Sequence, residues 1–173
     1  MEEIQKQIAN IVSELMPQLC ALSDEIFDYA EPGYEEYRSS AALTKWLRAH
    51  DFEVTIPYAG LDTAFCAVYR HKGGRAAGGR AVGFLGEYDA LRGQGHGCAH
   101  HMQTPAMIGA AMACGECWSL RTSFEIHVIG TPSEESLDGG KNEMAAHGGF
   151  DHIDVAFMVH GSTLTQLETP LWL

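Results

Sequence analysis

Residues 80–101 read RAVGFLGEYDALRGQGHGCAHH, and the order of residue types in this stretch decides the fold class. Ala81-Val82-Gly83-Phe84-Leu85 is a short apolar run without alternating polar residues. Such a run suits a strand covered on both faces, as in a parallel sheet. It stops at Gly86, and Glu87, Tyr88 and Asp89 follow at once. In open α/β sheets, ligands bind outside the carboxyl ends of the strands. Polar residues directly after a buried strand are therefore candidates for chemistry.

The pattern repeats on either side. Upstream, Ile4, Ile8, Ile11, Leu15, Leu19, Leu22 and Ile26 recur at steps of three and four, which predicts a packing helix. Pro17 should kink or divide it. Glu31-Pro32-Gly33 is a breaker, and a second helix is expected from about Glu35 to His50, with Leu43, Trp46 and Leu47 inward. Phe52 to Ile56 alternates as a half-buried strand does, and Thr63 to Tyr69 is another strand candidate. HKGGRAAGGR, residues 71–80, lacks the G-x-x-x-x-G-K-[ST] arrangement and reads as a surface turn. Downstream, Met102 to Leu120 reads as a helix, Phe124 to Ile129 as a buried strand, Gly139 to His147 as a helix and Asp154 to Val159 as a last strand. Strands alternating with helices imply an α/β fold: a mostly parallel sheet with helices on both faces.

Composition excludes several functions. A 46% hydrophobic and 20% charged chain of 173 residues is ordinary for one globular domain. A formal charge of −12 argues against nucleic-acid and anionic-membrane partners, which need basic surfaces, and suits a protein that collects cations. No apolar run reaches the roughly eighteen residues of a transmembrane helix. The start, MEEIQKQIAN, lacks a basic n-region and apolar stretch, so a cytoplasmic location is expected. There the five cysteines should mostly be free thiols. Cys20 and Cys66 read as small buried hydrophobes, and Cys114-Gly115-Glu116-Cys117, without a second C-x-x-C, as incidental.

If the strands are parallel, their carboxyl ends share one rim. That rim gathers Glu87 and Asp89, then Gly95-His96-Gly97-Cys98-Ala99-His100-His101, then Glu134 and Glu135 after Ile129, then His160 after Val159. Thiol, imidazole and carboxylate are the ligand types of a borderline divalent metal such as zinc. Cys98, His100 and His101 are the densest cluster. Of Glu134 and Glu135, neighbours on an extended segment, one can bind metal while the other serves as general base. Asp89 could orient a ligand histidine or cap a turn. Two further readings stay open: a cysteine hydrolase with Cys98 as nucleophile and His100 or His160 as base, and a non-catalytic metal-binding protein.

GEYDAL, GHGCAHHM, GTPSEES and MVHGS, in that order, together with EPGYEEYRSSAAL and DFEV, resemble the M20 metallopeptidases and amidohydrolases, in the branch of aminoacylases and aminobenzoyl-glutamate hydrolase. The resemblance implies a zinc-aminopeptidase-like catalytic domain. It implies Cys98, His100, Glu135 and His160 as ligands of two zinc or manganese ions, Glu134 as general base and Asp89 as an assisting residue. The implied reaction is hydrolysis of an amide bond in a dipeptide or N-acyl amino acid. The sequence departs from the family at Ala99 in place of glycine, His101 in place of Asn or Asp, and Arg92 in place of proline. If that glycine has positive φ, Ala99 is strained. Family members are more than twice as long. Residues 1–173 are thus expected to be the N-terminal part of the catalytic domain, without the dimerisation domain of a homodimeric whole and with reduced activity alone.

Overall fold

The computed structural model describes residues 2–118 and 123–162. Helix α1 (Glu2–Tyr29) runs as one element through Pro17. Of the two outcomes expected at Pro17, a kink or a division, division does not occur: Ile11 and Leu19, on either side of the proline, are both held in the interior. Packing there outweighs the local cost of the imide. Helix α2 (Tyr37–Ala49) buries Leu43 and Leu47. Strands β1 (Glu53–Thr55) and β2 (Phe65–His71) follow. The Gly-rich turn holds a short 3-10 segment, Gly74–Ala77.

The apolar run becomes β3 (Arg80–Gly86). Helix α3 (His100–Trp118), strand β4 (Phe124–Gly130), helix α4 (Gly140–Ala146) and strand β5 (Val155–Met158) complete the order. The last residues expected in α3, up to Leu120, lie outside the described residues.

The sheet order is β1-β2-β4-β3-β5. β4, β3 and β5 run parallel, whereas β2 and β1 are added antiparallel, so the sheet is mixed. The connections explain this. A parallel neighbour needs a long crossover, usually a helix. Only β3–β4 and β4–β5 have one, in α3 and α4.

One face of the sheet carries Phe65, Ala67, Val82, Phe84, Phe124, Ile126 and Val128 against Leu22, Ile26, Leu43, Leu47 and Ile108 of the long helices. The other face carries Cys66, Val68, Leu85 and Ile129 against Met144 of α4 and the loop residues Tyr58, Leu61, Phe150 and Ile153. Among the described residues, no helix is long and apolar enough to cross a membrane.

Candidate metal centre

The three parallel strands deliver side chains to one rim. β3 leads into Glu87 and Asp89, β4 into Glu134 and Glu135, and β5 into His160. The Gly86 carbonyl accepts the Thr131 N–H at 2.9 Å, so the loops leaving β3 and β4 start level.

His100, the first residue of α3, is fully buried at the centre of this rim. Its Nδ1–H donates to Asp89 Oδ1 at 2.9 Å. His160 Nδ1–H donates to the Gly161 carbonyl at 2.7 Å. In the neutral rings both Nε2 atoms therefore carry lone pairs, and they face each other across 3.3 Å. Two lone pairs at that distance repel unless a proton or a cation lies between them. Two imidazole nitrogens about 2.05 Å from a tetrahedral zinc would be spaced by about 3.3 Å.

Oxygens surround the same point. Glu87 Oε2 lies 3.3 Å from His100 Nε2, buried and without a hydrogen-bond donor. The other oxygen of Glu87 pairs with Lys141. Glu134 Oε2 lies 3.9 Å from His100 Nε2. Glu135 Oε1 is buried and has no partner. Glu87, His100 and His160 bring one donor atom each within 4.8 Å of one another, and so do His100, Glu134 and Glu135. Orphaned buried carboxylate oxygens are costly. Beside paired imidazoles they fit a divalent cation.

The charges are consistent with this. Burial works to lower the His100 pKa, but the Asp89 hydrogen bond and the charges of Asp89, Glu87 and Glu134 outweigh it, and the net shift is upward. Burial works to raise the Asp89 pKa, but the His100 bond and the Glu135 N–H outweigh it, and the carboxyl sits below its usual range. The site attracts positive charge, whether proton or metal.

The sequence-derived candidates divide. His100, His160, Glu134 and Glu135 come together, with Asp89 beneath them. Asp89 Oδ2 accepts the Glu135 N–H at 3.0 Å, so one carboxylate holds both the histidine and the glutamate loop. Cys98 is half-buried and joins neither grouping of donors. Its thiol shares a hydrogen bond with Glu135, and that bond, with burial and the nearby acids, pushes its pKa up to about 11. His101 faces away: its ring meets Phe27 edge-on at 5.0 Å and His96 at 5.1 Å. Successive residues of a helix point roughly 100° apart, so His100 and His101 at the start of α3 cannot serve one centre.

Two acids had little or no sequence signal. Glu87 follows the buried strand just as Asp89 does, which was the only pointer to it. Glu36 lies beneath the glutamate loop, fully buried. It accepts the Ser133 N–H and the Thr63 hydroxyl, each at 2.8 Å. Burial pushes its pKa up to about 7. Nearby, Glu31 caps α2 by accepting the Arg38 and Ser39 N–H groups at 2.9 and 2.8 Å. A Cβ on Gly33 would stand 2.4 Å from Ser133 Oγ. The EPGYEE segment is thus the seat on which the Glu134–Glu135 loop rests.

Ala99 has φ +64°, the left-handed conformation expected of a glycine. For an L-residue that costs about 1–2 kcal/mol, against about 0.5–1 kcal/mol of extra unfolded-state freedom for glycine. Ala99→Gly should therefore raise Tm by about 1–4 °C in a thermal melt. A lowered Tm would show that Ala99 is not strained.

Known proteins match this chain in sequence and in fold, although no family model matches it. The Xaa-Arg dipeptidase of Mus musculus is 36% identical over 171 residues, which covers 94% of this chain and 39% of that protein. One of the subunits of the p-aminobenzoyl-glutamate hydrolase of Escherichia coli is 28% identical over 179 residues, covering 92% of this chain and 36% of that protein. A dinuclear metal-binding peptidase of the M20 family from Bacillus subtilis superposes with a TM-score of 0.72 at 18% identity, over 87% of this chain and 44% of that one. The chain thus spans about two fifths of the length of the curated relatives it matches. Almost the whole chain is thus similar in sequence to part of those hydrolases, and it shares its fold with a peptidase of the M20 family.

Proposed function

We propose that this chain carries the metal-holding half of an amide hydrolase acting on a dipeptide or an N-acyl amino acid. The observation that carries the reading is the approach of His100 Nε2 to His160 Nε2 at 3.3 Å, with both Nδ1–H groups already committed. The names of the relatives support the substrate class, since a dipeptide and aminobenzoyl-glutamate are both split at an amide. His100, His160, Glu135 and Cys98 are the assigned ligands for two divalent ions, zinc or manganese, and Glu87 is a further oxygen donor.

Such ions supply Lewis acidity and make water nucleophilic at neutral pH. The chain's own residues do the rest. Asp89 fixes the tautomer of His100 so that the Nε2 lone pair faces the centre. Through the Glu135 N–H it also sets the position of the glutamate loop. The Glu134 side chain is 41% exposed, open to substrate on one side and 3.9 Å from His100 on the other. It takes a proton from the attacking water and returns it to the leaving amine. A route through a Cys98 nucleophile is disfavoured, because acids around the thiol oppose the thiolate.

The test is hydrolysis of a Xaa-Arg dipeptide and of p-aminobenzoyl-glutamate by the zinc- and manganese-loaded chain. EDTA or phenanthroline should stop turnover, and added metal should restore it. Turnover that survives exhaustive chelation would overturn the metal reading. Metal uptake without turnover on either substrate would favour a metal-binding protein without this activity.

A further inference from the structure

The face of the sheet opposite the long helices holds a second set of ligand-type side chains. Cys66 on β2 and His127 on β4 are diagonal neighbours, since Cys66 pairs with Ile129 and Val68 with His127. Both are buried. His152, between α4 and β5, sets its ring 4.8 Å from that of His127. Cys66, His127 and His152 bring one donor atom each within 4.8 Å of one another.

The local geometry is that of a prepared ligand set. Cys66 Sγ lies 3.6 Å from His127 Nδ1. A tetrahedral zinc with Zn–S of about 2.3 Å and Zn–N of about 2.0 Å would space these atoms by about 3.5 Å. His127 Nε2–H donates to Glu125 Oε2 at 3.0 Å, which leaves the Nδ1 lone pair facing the thiol. A carboxylate behind the ring is how metal-binding imidazoles are usually held.

Glu125 is itself anchored, taking the Arg75 N–H at 3.0 Å and Arg70 Nε at 3.3 Å. A Cβ on Gly74, at φ +57°, would come within 2.5 Å of Glu125 Oε1, so only glycine leaves the carboxylate its place. Burial, opposed by the Glu125 bond, keeps His127 below its ordinary pKa. Burial holds the Cys66 thiol up at about 12. A buried thiol, imidazole and carboxylate in mid-sheet cost desolvation that apolar residues would avoid.

We propose that Cys66, His127 and His152 form a second metal site that takes a zinc-class divalent cation through Sγ and two imidazole nitrogens, with water in the fourth position. On binding, the Sγ–H bond breaks, its proton leaves to solvent, and the sulfur–metal bond forms. Thiolate with imidazole selects zinc, cobalt or copper over manganese, magnesium and calcium. The site shares no residue with the rim centre, so either can fail without the other.

Cobalt titration of the 173-residue chain in a Cys98→Ser background, which removes the thiol at the rim, tests this. A thiolate-to-cobalt charge-transfer absorption should grow and saturate. Cys66→Ala should abolish it. His152→Ala, a partly exposed loop position, should weaken cobalt binding at this absorption by about tenfold or more. Circular dichroism reports whether each variant folds, and if Cys66→Ala does not, His152→Ala decides. Absence of the absorption, or an absorption unchanged by His152→Ala, would overturn the proposal.

Discussion

His100→Ala is expected to lower manganese affinity by more than about 100-fold, and Asp89→Asn by about 10–100-fold. Manganese is the informative probe, because the thiolate cluster on the opposite face would hold it poorly. His100 is the one residue common to both groupings of rim donors, so its loss removes a ligand from each. Asp89→Asn acts differently. Its amide can offer an N–H to His100 Nδ1, which releases the ring from the tautomer that exposes the Nε2 lone pair. His100→Ala also leaves Asp89 Oδ1 buried without its donor, so a drop in Tm should accompany that change. Calorimetric titration of the folded variants is the measurement. His100→Ala binding manganese as tightly as the parent would end the case for a rim centre.

Glu134→Gln should reduce turnover by about 10²–10⁴-fold while metal content is unchanged. The amide keeps the size and reach of the carboxylate but cannot accept and return the proton. Its neighbour should behave otherwise: Glu135→Gln should lose metal before it loses the catalytic step, because Glu135 Oε1 is, like Glu87 Oε2, a buried oxygen without a donor. Saturating kinetics together with elemental analysis separate the two. If Glu135→Gln keeps its metal and loses turnover while Glu134→Gln stays active, the roles are reversed.

Much of this was legible along the chain. Helical steps of three and four, an alternating strand and short apolar runs located the elements, because they report which side of a segment meets the core. Glu87, Asp89, Glu134, Glu135 and His160 stood out because each followed a strand end. Three details were decided by packing that no local pattern carries. Of the kink or division expected at Pro17, division did not occur, since tertiary packing held both sides of it in one helix. The parallel strands β4, β3 and β5 were joined by β2 and β1 as antiparallel strands, since pairing across the sheet is set by which strands meet in the fold. His101 did not join His100, since α3 begins at His100 and its winding turns the two side chains apart.

The sequence by itself determined the elements, the rim and the kinds of donor on it, because periodicity and strand-end position are properties of a few neighbouring residues. Only the tertiary structure decided which donors meet. Glu36 supports Ser133 from 97 residues away, and His100 finds His160 from 60 residues away. Such meetings depend on the phase of α3 and the order of the strands, and both are set by burial of the whole sheet.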